Sequence, residues 1–283
     1  MKILLNSQPK AGTHLLRSLF RALPDLKPAS FTLTHKVASQ FSDPSSSHRL
    51  GIGNPRGIEE KALKQLLASL EGSMYVTGHV VFSETTMRLF EQQQVRMILI
   101  LRDLRAIATS LLVYILRNKT HFLHGALSAY PSAEAGLIAL INGVARREPN
   151  APCCPSLSQQ YQSIVGWSEW PGCCLAFFEH LVGEQGGGSN ILQKAALVDL
   201  VQHLHISSNM DDVERATASI FDTRSPTFFR GQIDGWKDYF TPSVEQHFTK
   251  SAGAHQEHWR GLYRKKTAFL TDLARQIGAG RSG

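Results

Sequence analysis

The stretch NSQPKAGTHLLRSLF, residues 6–20, decides how the chain is read. The apolar run Met1-Lys2-Ile3-Leu4-Leu5 leads into it, and a helical pattern over Gly12–Ala22 leads out. A strand, a glycine turn and a helix in that order leave the helix's first N–H groups without intrahelical partners at the turn. Those donors and the helix dipole make an anion site. Gly12 lets the backbone approach a ligand, Thr13 and His14 add side-chain donors, and Lys10 supplies a point charge. A Walker A loop needs its lysine directly after the last glycine, in G-x-x-x-x-G-K-[ST]. Here Lys10 comes two residues before Gly12, so the loop is not that of a kinase or ATPase.

Working outward, short apolar runs at Lys2–Asn6, Met74–Thr77, Val95–Leu101 and Leu175–Phe178 read as strands. Helical patterns follow at Gly12–Ala22, Ile58–Leu70, Glu84–Gln93 and Asp103–Leu116. The alternation predicts an α/β fold, a single domain with a central parallel sheet flanked by helices, binding ligands beyond the strands' carboxyl ends. Ser42–Gly57, rich in Ser, Pro and Gly, reads as a loop, and Gly183–Asn190 (GEQGGGSN) as a flexible connector before a helix over Ile191–His205. Residues 118–156 read as an insertion carrying a helix over Ala133–Ala145.

Two further stretches suit a phosphorylated ligand. In LRDLRAIATSLLVY, Leu101–Tyr114, Arg102 ends a strand and Ser110 lies eight positions later on the following helix, so both can converge on one phosphate. In FFRGQIDGWKDYFT, Phe228–Thr241, Gly231 and Gly235 allow close backbone approach, while Trp236 reads as a core anchor.

Taken together, these motifs resemble the PAPS-dependent sulfotransferases, cytosolic and bacterial, over residues 2–250. Lys10-Ala11-Gly12-Thr13 is similar to the family's loop for the 5′-phosphosulfate. Arg102 with Ser110 is similar to its 3′-phosphate pair, and Phe229-Arg230-Gly231 to its RKG triplet. The resemblance implies a P-loop NTPase-like sulfotransferase fold and PAPS (3′-phosphoadenylyl sulfate) as cofactor, without a metal. It implies His79, 23 positions before Arg102, as general base, and Lys10 as the charge that meets the leaving oxygen. It also implies Phe178, Ser219 and Phe221 near adenine. The chain departs from the family pattern at Leu15, Thr77, Phe178 and Phe229, where the family has Trp, Lys, Tyr and Arg.

The implied activity is sulfuryl transfer to a hydroxyl or amine of a small acceptor. Apolar clusters at Leu111–Ile115 and Leu137–Ile141 suggest that this acceptor is apolar or amphipathic. Two alternatives stay open: a P-loop nucleotide or small-molecule kinase, and a non-catalytic nucleotide- or nucleic-acid-binding protein.

Composition narrows the partners. Thirty Lys+Arg against 23 Asp+Glu give a net charge of +7, which suits a polyanionic ligand. The basic residues are dispersed, with Arg264-Lys265-Lys266 the one run, so nucleic acid is not expected. No stretch approaches the roughly 20 apolar residues of a membrane span. The apolar start is too short for a signal peptide, and a cytoplasmic protein is expected. Cys153-Cys154 and Cys173-Cys174 lack zinc-ligand spacing, and His255 and His258 lack a third ligand. Lys237–Thr241 resembles the family's dimer motif, but Pro242 and the placement of Glu245 break it, so a monomer or weak homodimer is expected.

Overall fold

The computed structural model describes residues 2–146, 151–220 and 231–279. In chain order its elements are β1 (Lys2–Ser7), α1 (Thr13–Ala22), β2 (Lys27–Leu33), α2 (His35–Gln40), β3 (Arg49–Leu50) and β4 (Arg56–Gly57). Then come α3 (Glu60–Ala68), β5 (Met74–Gly78), α4 (Glu84–Gln92), β6 (Val95–Leu101), α5 (Leu104–Arg117), α6 (His124–Ser128) and α7 (Ala133–Asn142). The chain continues with α8 (Leu157–Val165), β7 (Cys173–Phe177), α9 (Phe178–Leu181), α10 (Asn190–His203), α11 (Met210–Ala218) and α12 (Pro242–Ala279).

Five strands form one parallel sheet in the order β2-β5-β1-β6-β7. The central strands β1 and β6 are apolar almost throughout because helices cover both of their faces. Alternation then sorts their side chains. Ile3, Leu5, Ile98 and Ile100 pack with α1, α10 and α11, whereas Leu4, Met97, Leu99 and Leu101 pack with α3, α4, α5, α7 and α8. α12 joins the two layers: Val244, Phe248, Ala252 and Trp259 belong to the second core and Leu270 to the first. It starts with Pro242, whose missing N–H costs nothing at a first helical position, and the Thr241 hydroxyl accepts from the Val244 N–H at 3.3 Å.

The chain leaves β1 toward β2 on one side and β6 toward β7 on the other. The carboxyl ends of β1 and β6 therefore flank a topological switch point, where open α/β sheets bind ligands.

Several sequence expectations need correction. The last strand runs Cys173–Phe177, so Phe178 begins a helix rather than ending a strand. Ser42–Gly57 is not wholly a loop, because Arg49–Leu50 and Arg56–Gly57 pair as a short antiparallel hairpin. Residues 183–190 are not a loose connector. Gly188 and Gly186 donate to the Gly183 carbonyl, the Gly186 carbonyl accepts from Ile233, and Gln232 Nε2 donates to the Gln185 carbonyl. Among the described residues, no helix is long and apolar enough to cross a membrane.

Candidate active site

Each strand of the parallel sheet sends its following residues to a cavity of about 780 Å³ at the sheet's carboxyl edge. Lys10, Gly12 and Thr13 arrive after β1, His35 after β2, His79 after β5, Arg102 after β6 and Phe178 after β7.

The loop after β1 turns through two left-handed residues, Lys10 at φ 71° and Gly12 at φ 116°. Glycine is required at position 12 on a second count. A Cβ there would lie 2.9 Å from Ile100 Cδ1 and 3.0 Å from Phe178 Cδ2. With glycine as its N-cap, α1 has no side-chain cap and no acidic residue in its first turn, so its first N–H groups open on the cavity.

Two cations converge beside this helix end. The Arg102 guanidinium lies 3.9 Å over the Phe178 ring and donates to the carbonyls of Lys10 and Gln232, each at 3.2 Å. Its Nε is buried with no hydrogen-bond partner. The Lys10 ammonium stands 4.5 Å over the Tyr114 ring. Burial first, and then repulsion from Arg102, lower its pKa to about 8. Two positive groups held close at the cost of mutual repulsion, one with an unused donor, suit a site for a multiply charged anion. Ser110, on the first half of α5, is buried and lines the same side.

His79, the residue after β5, lines the same cavity. Its backbone is fixed from both sides, the N–H donating to the Leu33 carbonyl at 2.9 Å and the carbonyl accepting from Gly51 at 2.6 Å. Nδ1 lies 2.7 Å from the Ser7 carbonyl oxygen. A carbonyl can only accept, so Nδ1 carries the proton and Nε2 keeps a lone pair. Burial, the largest influence, lowers the His79 pKa, the Ser7 bond opposes this, and His35 adds to it. The imidazole is therefore neutral at neutral pH. The Ser7 hydroxyl links it to the phosphate-type loop, 3.4 Å from Nδ1 and 2.5 Å from the Thr13 hydroxyl.

Not every expected residue reaches the cavity. His14 does, with its solvent-facing side exposed; partial desolvation first, and then the charges of Arg17 and Lys10, lower its pKa. Ala11 is buried beneath the loop. Leu15, Thr77, Phe178 and Gly231 line the cavity. Ser219 is an exposed residue closing α11, its hydroxyl donating to the Ala216 carbonyl at 2.8 Å, and its neighbour Ile220 is the one that lines the cavity. Phe221, Phe229 and Arg230 lie outside the described residues. Trp236 is not the core anchor expected: it is half-buried, belongs to neither core, lines the cavity and has the Arg105 guanidinium 3.9 Å over its ring. Of the two apolar clusters, Leu111 and Tyr114 reach the cavity, whereas Leu137, Leu140 and Ile141 are core.

Sequence reading missed Ser7, Tyr114, Glu179 and Gln256. Gln256, on α12, accepts from the Leu104 N–H at 3.1 Å and donates to Asp103 Oδ2 at 2.9 Å, completing the N-terminus of α5. Asp103 also pairs with Arg105 at 2.7 Å, which leaves Arg102 for the cavity.

No protein-family model matches the chain, and no curated protein matches its sequence. Solved structures do. A mouse sulfotransferase, SULT7A1, complexed with PAP is 18% identical, with 91% of this chain and 88% of that one covered at a TM-score of 0.59. Retinol dehydratase, in complexes with androsterone or retinol and PAP, is 12% identical, with 89% and 80% covered at a TM-score of 0.55. The chain has the sulfotransferase fold.

Proposed function

We propose that the protein transfers a sulfuryl group from PAPS to a hydroxyl, or an amine, of a small acceptor. The observation that carries this reading is the oriented His79: a neutral imidazole with its lone pair on Nε2, tied through Ser7 to Thr13 of the cationic loop. The likeness to PAP-bound sulfotransferase structures supports the choice of nucleotide.

The residues suit PAPS on observations of their own. The uncapped end of α1, the buried Arg102 Nε and the repelling pair of cations all call for phosphate oxygens. Thr13 and the loop N–H groups would hold the 5′-phosphate, and Arg102 with Ser110 the 3′-phosphate. Phe178, Gly231 and the undescribed Phe221, Phe229 and Arg230 are the remaining candidates for nucleotide contacts. PAPS, when bound, supplies an activated sulfuryl group that needs no metal.

The chain's own groups then divide the work. His79 Nε2 takes the acceptor's proton as that oxygen becomes nucleophilic. Lys10 presents its ammonium where negative charge gathers on departure, a contribution larger in the transition state than in the ground state. Ser7 keeps the His79 proton on Nδ1, so the base points one way. Ile52, Leu111, Phe122 and Leu123 add apolar side chains to the cavity lining, which supports an apolar or amphipathic acceptor. Gly51–Asn54, Asn118 and Thr120–Leu123, within the stretches read as a loop and an insertion, line the cavity as well.

The test is incubation with PAPS and a panel of hydroxylated small molecules, lipids and glycans, read by the mass gain of one sulfate. Sulfation confined to polyanionic glycans would refute the apolar acceptor. Turnover of magnesium-ATP without binding of adenosine 3′,5′-bisphosphate (PAP) would refute the reaction.

A further inference from the structure

One buried titratable group stands against the nucleotide half of the cavity without a role so far. Glu179 follows Phe178 at the start of α9 and is 5% exposed. Its Oε1 accepts from the Asp103 N–H at 3.0 Å, while its Oε2 is buried with no hydrogen-bond partner. Two consecutive residues thus grip two others: the Phe178 ring lies under the Arg102 guanidinium, and Glu179 holds the backbone of Asp103.

The charged and titratable groups that face Glu179 are Arg102 and Asp103, from the turn between β6 and α5, and Tyr263, from α12. Its neighbour His180 is neutral, its pKa lowered by burial to about 4, and its Nε2 lies 2.8 Å from the Thr267 hydroxyl. The Asp103 carboxylate is already engaged by Arg105 and Gln256. Ionised, Glu179 carries an unsatisfied buried oxygen, and its charge repels any phosphate brought to Arg102. Burial raises its pKa to about 7, with the Asp103 N–H and Arg102 opposing the rise, so both forms are populated at neutral pH.

We propose that Glu179 takes up a proton as a nucleotide phosphate seats on Arg102, so that nucleotide affinity is coupled to pH through a residue that does not touch the nucleotide. This rests on the reading of Arg102 as a phosphate ligand. The proton comes from solvent and adds to the carboxylate, and no other bond changes. Oε1 still accepts from Asp103, so the turn keeps its position while the repulsion disappears. A ligand that favours the protonated form binds more weakly as pH rises past the free protein's pKa. Loss of the Lys10 charge weakens binding in the same direction, so the test compares two proteins that share Lys10.

Titration calorimetry of wild type and Glu179→Gln with adenosine 3′,5′-bisphosphate, at about pH 6 and about pH 8.5, reads the coupling. The two proteins should bind alike at the lower pH. At the higher pH Glu179→Gln, fixed in the uncharged form, should bind about tenfold tighter, the factor that accompanies one pH unit of coupling. Weaker binding by Glu179→Gln at both values, or equal binding at both, overturns the proposal. A purely structural role predicts the first of these. Should the variant fail to fold, wild type in two buffers of different ionisation heat decides. At about pH 7.5 it should take up more protons with the bisphosphate than with AMP, which lacks the 3′-phosphate, and equal uptake overturns the proposal. If wild type does not bind the bisphosphate, the reading of Arg102 falls and the proposal with it. A flat comparison removes the proposal alone.

Discussion

The Ser7 carbonyl, 2.7 Å from His79 Nδ1, decides what that histidine can do, because a ring whose proton is held on one nitrogen offers a lone pair on the other. His79→Ala is expected to lower kcat by about 10²–10⁴-fold, the usual range for a lost general base, and to spare bisphosphate affinity. His79→Gln keeps bulk and polarity without a comparable base and should be as slow. More than about a tenth of wild-type kcat in His79→Ala would move the base elsewhere. The pH profile of kcat/KM gives a second check at this scale. As the proposed base His79 would work when neutral, and burial lowers its pKa, so the acid limb should fall below 6.5. Lys10, in its proposed role, would work when charged, so activity should be lost as pH rises through about 8. An acid limb above 6.5 would contradict the assignment of the base. Lys10 and His79 could be found in the sequence because they sit in motifs that resemble the sulfotransferase family's, Lys10 three residues after β1 and His79 one residue after β5, whereas Ser7 and Glu179 look like ordinary strand-end residues until their partners from other parts of the chain are in place.

At the scale of elements, α5 shows how a cavity-lining helix is completed from afar. Asp103 caps it by accepting from the Arg105 N–H at 2.9 Å, and Gln256 satisfies the Leu104 N–H. Gln256→Leu fills a similar volume but leaves a buried N–H and a carboxylate oxygen short of a partner. A stability loss of about 1–3 kcal/mol is expected by denaturant unfolding, together with weaker bisphosphate binding. An unchanged unfolding midpoint would show that the cap is dispensable.

The elements also explain what could be read in advance. β6 and α5 were legible because VRMILIL is a continuous apolar run and a basic, helix-forming stretch follows it. β2 was not, since KPASFTL is an edge strand that exposes alternate residues and begins with Lys-Pro. α12 escaped notice because its buried face changes along its 38 residues, serving one core with Val244 and Phe248 and the other with Leu270. No single apolar stripe marks it. The glycines of residues 183–190 signal a turn but say nothing of the long-range bonds to Gln232 and Ile233 that fix it.

Seen whole, the molecule gathers the ends of five parallel strands on one rim and sets Lys10 and Arg102 there in mutual repulsion, which an anion would relieve. A ligand that binds only the folded state stabilises it by RT ln(1 + [L]/Kd). Adenosine 3′,5′-bisphosphate should therefore raise the thermal midpoint more than AMP at equal concentration. Equal shifts would free Arg102 and Ser110 from their 3′-phosphate role.

The dependence of α5 on Gln256 also sets an order of events during synthesis. When Arg102 leaves the ribosome, the loop after β1 and the strand that His79 follows have already emerged. The amide that completes Asp103 lies 153 residues further on. At about 5–20 residues per second, that is a wait of roughly ten to thirty seconds. A nascent chain thus passes through a period in which it holds His79 and the phosphate-type loop but an unfinished α5, and under the proposed function nucleotide capture would be a late event in the life of the polypeptide.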